Sequence, residues 1–227
     1  MERISSMDFL RGFAILMMFA DHILLFLGFS SFAILEPRFF TRIAEPIFAV
    51  LLGYFLVGRS EKSLMDRFFW VMVAAIFVNS LVFPFMGSLE VLASFTLCYL
   101  VFAVLRERIV FLIPLILFFN LDPTAAILSY PIFLVLPQVA LGIAMRKGIN
   151  PLISVIFALM SFFIVPRYEF SFLFTALACA LILIAEKNRN FSVPVIDYIG
   201  KRPLFFYTIQ YAVAILLVLF ARQYLAI

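Results

Sequence analysis

Long apolar runs separated by short polar segments fill almost the whole chain. A transmembrane helix needs about 20 mainly apolar residues, and nine runs approach or reach that length: residues 9–30, 39–58, 67–86, 89–105, 108–121, 125–145, 149–166, 169–186 and 203–225. The fifth run is short and contains Pro114. Strands of a membrane barrel would instead alternate in hydrophobicity over about ten residues. The pattern therefore predicts an all-α polytopic transmembrane bundle of about nine helices.

Composition supports this reading. The chain is 66% hydrophobic and 13% charged, whereas soluble domains are about 45–50% apolar and about 25% charged. The longest polar stretch covers only residues 186–202, so we expect a single domain over residues 1–227. Charged residues interrupt the first apolar run, which we therefore expect to be retained rather than cleaved as a signal peptide. We expect an integral membrane protein, in the plasma membrane of a prokaryote.

The basic residues alternate between successive loops. With the N-terminus in the cytosol, 13 of the 17 Lys and Arg residues fall on the cytosolic side and four on the other side, namely Arg38, Arg42, Arg167 and Arg222. This asymmetry agrees with the positive-inside rule. The same bias accounts for the net charge of +4, so no nucleic-acid partner is expected. Nine spans place the C-terminus outside, and one miscounted span would reverse that side.

The first apolar run carries a polar stripe. At about 100° per residue, Arg11 and His22 differ by only ~20° in azimuth and lie ~16 Å apart along the axis. Asp8 stands three residues before Arg11, within reach of an ion pair, whereas Asp21 points ~100° away from the stripe. Ionisable residues cost about 2.5–3.5 kcal/mol each at mid-membrane and usually serve a function. His22, the sole His, is a candidate general base, and the alternative is a hydrogen-bonded packing residue.

The second apolar run adds Glu45, for which two partners are possible. Glu45 can contact His22 of the neighbouring antiparallel helix and fix its tautomer, or it can pair with Arg42 three residues earlier. The following Pro46 predicts a local break that exposes backbone carbonyls.

Other polar or sulfur-containing residues also lie within the apolar runs. Asn79, Asn120, Gln138 and Gln210 are expected to form interhelical hydrogen bonds. Gln210 is in addition a candidate for lining a site, because Tyr207 and Tyr211 flank it at helical spacing. Cys98 and Cys179 are predicted to be packing residues, and one His with two scattered Cys predicts no metal site.

The opening residues resemble the first helix of the membrane-embedded acyltransferase superfamily. This group includes the acyltransferase family 3, heparan-glucosaminide N-acetyltransferase-like and TraX-like proteins. The shared pattern, R-x-x-S-[LM]-D-x-x-R-G followed by a His, is formed here by Arg3, Ser6, Met7, Asp8, Arg11, Gly12 and His22. Residues 42–56, 89–100 and 198–211 are similar to later helices of the group. Glu45 stands where the group has an apolar residue, and Gln210 stands where its closing helix often has a His.

The resemblance implies transfer of an acyl group, commonly acetyl, from cytosolic acyl-CoA to a hydroxyl or amine on a glycan or lipid-linked acceptor. Arg11 would bind the donor together with Arg3, Gln210 and Tyr207, and Asp8 would orient Arg11. His22 would act as the general base or carry the acyl group transiently, with Glu45 as its companion.

Two other functions fit the same residues. The chain could be a transporter or flippase for a small or lipid-linked solute, with the stripe of Asp8, Arg11 and His22 lining the path. It could also be a non-catalytic relative that retains the acyltransferase fold. The acceptor, the acyl chain and homo-oligomer formation are left open by the sequence.

Overall fold

The computed structural model describes residues 4–29, 37–112, 127–149, 152, 156 and 169–225. Within these ranges every regular element is a helix, and the only pairing of extended backbone is an isolated bridge between Leu89 and Leu128. The predicted all-α class is therefore confirmed for the described part of the chain.

The helices follow the apolar runs closely. They are α1 Ser5–Phe26, α2 Pro37–Thr41, α3 Ala44–Leu56, α4 Glu61–Met86, α5 Val91–Leu105, a 3-10 helix Arg106–Leu112, α6 Ile132–Arg146, α7 Glu169–Lys187, α8 Pro194–Lys201 and α9 Pro203–Leu225. Six predicted spans each coincide with one α-helix, and the run at 39–58 is divided between α2 and α3. Only the 3-10 helix is described of the run at 108–121. The run at 149–166 lies outside the described residues, except for residue 149 and helical residues 152 and 156.

Two described segments are long and apolar enough to cross a membrane, judged by length and composition. They are Pro37–Leu56 and Glu61–Pro84, while Ile132–Arg146 and Pro203–Leu217 are apolar but shorter. Helix α1 has 22 residues but carries Asp8, Arg11 and Asp21, which lower its hydropathy. The described residues thus do not confirm the count of nine spans, which stays a prediction.

Capping residues explain where α4 begins and ends. The Ser60 side chain accepts a hydrogen bond from the backbone N–H of Ser63, and Gly87 closes the helix with φ 68°. A Ser N-cap and a glycine in the left-handed region satisfy backbone groups that a helix end leaves unpaired. The helix therefore starts at Glu61, six residues before the apolar run that predicted it.

The break expected beside Pro46 occurs slightly earlier in the chain. Helix α2 ends at Thr41 and α3 begins at Ala44, so Pro46 lies in the first turn of α3. Its missing N–H has no intrahelical acceptor there, and proline is tolerated. The proline thus marks the start of the new helix rather than an interruption within one.

The chain divides into two compact units. The first comprises Met1–Ala44 and Ala185–Ile227, and the second comprises Glu45–Ile184. In the first unit α1 packs against α2, α8 and α9. In the second, α4 packs on α5, and α5 and the 3-10 helix pack on each other and on α6. The expectation of one domain over the whole chain stays a prediction.

Glycines permit the closest helix contacts within each unit. A methyl group on Gly12 of α1 would overlap the backbone of Ile196 in α8, and one on Gly200 of α8 would overlap the backbone of Asp8. In the second unit, Gly53 of α3 and Gly142 of α6 lie equally close to the facing helix. Small residues at helix crossings are the usual means of close packing in membrane bundles. Helix α8, which lies within the polar stretch 186–202, is thereby fixed against α1.

Candidate functional site

His22 lies at the start of a chain of buried hydrogen-bonding side chains in the first unit. Its Nε2 atom is 2.9 Å from the Tyr211 hydroxyl, and the two ring centroids are 4.3 Å apart. The Tyr211 hydroxyl is in turn 3.3 Å from that of Tyr207. His22 is only 6% exposed, and both tyrosines are more deeply buried. Packing of α1 against α9 thus joins residues that are far apart in the sequence.

This arrangement controls the proton on the imidazole ring. A neutral imidazole has one donor and one acceptor nitrogen, so the Tyr211 hydroxyl either donates to Nε2 or accepts a hydrogen from it. In either case the contact fixes the ring orientation and couples the tautomer to the hydroxyl of Tyr211. Tyr207 extends this contact to a third buried side chain through its hydroxyl, 3.3 Å from that of Tyr211.

The predicted ion pair at the other end of the stripe is present. Arg11 Nη1 lies 2.9 Å from Asp8 Oδ1, with the Asp8 side chain buried and that of Arg11 20% exposed. Asp8 is further enclosed because the backbone of Gly200 lies directly against its own backbone. A guanidinium carries N–H donors whose geometry suits carboxylate, phosphate and carbonyl oxygens. Arg3, the other predicted donor-binding arginine, lies outside the described residues.

A second ion pair, which the sequence did not reveal, holds α1 to α2. Arg38 donates from Nε and Nη2 to the two carboxylate oxygens of Asp21, each at 3.0 Å, and from Nη1 to the Phe29 carbonyl at 3.0 Å. Thr41 donates to Asp21 at 2.7 Å. The helical repeat places Asp21 off the polar stripe, and the alternation of basic residues places Arg38 on the outer side. The signal available was a carboxylate within an apolar run, because a buried charge requires a partner of opposite charge.

Glu45 belongs to the second unit and has partners there. Gln138 of α6 donates from Nε2 to Glu45 at 3.3 Å and to Thr175 of α7 at 2.9 Å. This confirms the expected interhelical role of Gln138. The proposed contact of Glu45 with His22, and the alternative pair with Arg42, both stay predictions.

The remaining polar candidates differ in how well they are satisfied. Asn79 donates to Ala75 at 2.7 Å and accepts a hydrogen bond from the Glu90 backbone at 2.6 Å, so both amide atoms are used. Gln210 is 4% exposed, and neither its Oε1 nor its Nε2 atom has a hydrogen-bond partner within the described part of the chain. Asn120 lies outside the described residues.

The two cysteines lie on α5 and α7. Cys98 and Cys179 are free and buried, in line with the packing role predicted for them. Across residues 4–29, 37–112, 127–149, 152, 156 and 169–225, no group of three or more His, Cys, Asp or Glu side chains could hold a metal ion.

Comparison of the sequence with protein-family models found no match, and neither did comparisons with curated proteins and with solved structures. The resemblance of the opening helix to membrane acyltransferases therefore rests on its own residues.

Proposed function

We propose that this chain is an integral membrane acyltransferase that moves an acetyl group from cytosolic acetyl-CoA to a hydroxyl or amine of a glycan or glycolipid. The observation that carries the proposal is the buried contact between His22 and Tyr211 on the helix whose other end bears the Asp8–Arg11 pair. Those two features occupy one face of α1, ~16 Å apart along its axis. A buried, oriented imidazole in line with an accessible guanidinium suits a reaction between a cytosolic donor and a deeper acceptor.

We place the chain in a bilayer with about nine spans, and exposed apolar stripes on two helices support the contact with lipid. On α4 one such stripe includes Met65, Phe69, Ile76 and Phe77, each at least 49% exposed. A second, on α9, comprises Phe205, Ile209, Val213, Leu216, Leu217 and Phe220. Contiguous apolar surface of this kind is unfavourable in water and favourable in lipid. The ion pairs Arg106–Glu61 and Lys147–Glu107 belong to loops that the positive-inside rule assigns to the cytosol.

The chemical step assigned to His22 is general-base catalysis. The acceptor oxygen or nitrogen attacks the carbonyl carbon of the thioester while its proton passes to the imidazole. The carbon–sulfur bond then breaks, and CoA leaves as a thiol after taking that proton from the imidazolium. Tyr211 holds the ring in place and fixes its tautomer, and Arg11 binds an anionic or carbonyl oxygen of the donor.

The test compares acetyl transfer by wild type with that by His22→Ala and His22→Gln, using radiolabelled acetyl-CoA and a panel of glycan and glycolipid acceptors. His22→Gln retains a hydrogen bond to Tyr211 but cannot take a proton at neutral pH. General-base catalysis contributes about 10²–10⁴-fold, so both variants should lose at least about 100-fold in rate. Added imidazole should partly restore His22→Ala.

Three results would count against the proposal. Full transfer by His22→Ala would remove the role of the histidine. Solute flux that depends on His22, with no consumption of acetyl-CoA, would favour a transporter or flippase. If no acyl-CoA stabilises the purified protein or is consumed, the chain is a non-catalytic relative.

A further inference from the structure

Gln210 precedes Tyr211, the tyrosine that contacts His22. Its buried side-chain amide has no hydrogen-bond partner among the described residues. On α9, Tyr207, Gln210, Tyr211 and Ala214 form one buried stripe, and Gln210 lies ~60° in azimuth from Tyr207 and ~100° from Tyr211. The hydroxyls of both tyrosines are engaged with each other, and that of Tyr211 also with His22. Both polar atoms of Gln210, in contrast, have no hydrogen-bond partner among the described residues.

Burial of an amide without hydrogen-bond partners lowers the free energy of unfolding. A buried donor or acceptor that gives up water without gaining a partner lowers the stability of the folded state, and such groups are rare in native proteins. Asn79 is the contrasting case on α4, because it is also buried and both of its amide atoms have a hydrogen bond. A buried polar group that destabilises the ligand-free protein is expected at a site where a bound ligand supplies its hydrogen-bond partners.

The missing partners define the chemistry of that ligand. Gln210 Oε1 requires an N–H donor, and Nε2 requires an acceptor such as a carbonyl oxygen. Amides supply both kinds of group and carry no charge, which suits a buried site.

We propose that Gln210 binds the amide-bearing arm of the acyl-thioester donor. This inference rests on the proposed function, because it is the transferase reaction that brings a thioester to His22. In CoA, only two methylene groups separate the thioester sulfur from the first amide nitrogen, and a second amide follows along the arm. Gln210 directly precedes Tyr211, whose hydroxyl contacts His22, and the first amide of the donor likewise follows its thioester after only two methylene groups. Gln210 is thus a specificity residue for the donor.

The first experiment uses the full chain in detergent and compares Gln210→Leu with Thr208→Val. Thr208 is the matched control because it lies on the same helix, and its hydroxyl already donates to the Leu204 carbonyl at 2.8 Å. Without ligand, Gln210→Leu should have an apparent melting temperature equal to or above that of wild type, because two unbonded polar atoms are removed. Its affinity for acetyl-CoA should fall about tenfold, while Thr208→Val should bind acetyl-CoA as wild type does.

The second experiment separates recognition of an amide from general contact with CoA. Two short acetyl thioesters are compared, one with the first amide of the arm and one in which an ester oxygen replaces that N–H. Wild type should prefer the amide compound about tenfold in affinity, since a site built to accept a hydrogen bond rejects an analogue without the donor. Gln210→Leu should show no preference. An equal preference in wild type and Gln210→Leu would overturn the inference.

The outcomes also distinguish this inference from the proposed function. If wild type prefers the amide compound through Gln210 but transfers no acetyl group, donor recognition stands and the transferase is refuted. If wild type transfers acetyl and Gln210→Leu binds both thioesters as wild type does, the transferase stands and the inference falls. If Gln210→Leu affects only acceptors that carry an N-acetyl group, the amide belongs to the acceptor and the inference about the donor is overturned.

Discussion

Replacing Asp21 by alanine isolates the energetic role of the ion pair that joins α1 to α2. Arg38 is 3% exposed and uses three nitrogens at once, two on the Asp21 carboxylate and one on the Phe29 carbonyl. Without the carboxylate, the guanidinium stays buried with one of these acceptors. Thr41 also loses an acceptor for its hydroxyl, although that hydroxyl lies 2.9 Å from the Arg38 carbonyl.

The expected loss of unfolding free energy is large for a single substitution. Removing one partner of a buried ion pair costs about 3–5 kcal/mol. We expect about 3 kcal/mol, the lower end of that range, because Arg38 retains its bond to Phe29. Replacing both charges by apolar residues of similar volume, as in Asp21→Leu with Arg38→Met, should cost less than Asp21→Ala alone, since such swaps are often neutral.

The assay is a double-mutant cycle on Asp21 and Arg38 in mixed micelles, with unfolding by SDS followed as loss of helical circular dichroism. Helix content is preferred to fluorescence because Trp70, the only tryptophan, lies in the second unit. The coupling energy between the two positions should be about 2 kcal/mol or more. A coupling energy near zero, with the two single substitutions simply additive, would refute the view that the pair holds α1 to α2.

Two further predictions concern the same unit. Tyr211→Phe should lower acetyl transfer about tenfold without abolishing it, because the imidazole keeps its base function but loses the contact that fixes its tautomer; a rate equal to that of wild type would show that the hydroxyl is unimportant. Gly12→Ala should destabilise the protein by more than Gly28→Ala in SDS unfolding, because the added methyl group meets the backbone of Ile196. Gly28, at φ 93° with open space around it, carries only a backbone strain of about 1–2 kcal/mol; equal losses would contradict the close helix contact.

Features that depend on neighbours in the chain could be predicted from the sequence. The apolar runs predicted helices at α1, α4, α5, α6, α7 and α9, because each run is close to the length of a membrane-spanning helix. Helical spacing predicted the ion pair of Asp8 with Arg11, because residues three positions apart lie on one face of a helix. The predicted helix boundaries were wrong where polar residues continue a helix. The first turn of α4 is an example, because hydropathy alone does not identify an N-cap such as Ser60.

Contacts between distant segments could not be predicted from these patterns. The position of His22 on the polar face of α1 follows from helical spacing, but its hydroxyl partner Tyr211 lies 189 residues away. Only the packing of α1 on α9 brings the two together. Asp21 and Arg38 pair because α2 turns back on α1 after α1 ends. Helix α8 lies within the polar stretch 186–202, where no span was predicted. Its contact with Gly12 was therefore not predicted either.

The helical class and the approximate helix positions follow from the sequence, because the apolar runs have the length of helices. The polar face of α1 follows from the helical repeat. Which of the polar groups form hydrogen bonds depends on the packing between helices. Gln210 and Asn79 are both amides within apolar runs, yet Asn79 is fully bonded to its neighbours, while Gln210 lacks a partner in the described structure. That difference depends on which side chains the folded chain brings within about 3 Å of each amide, and periodicity along a single helix does not contain that information.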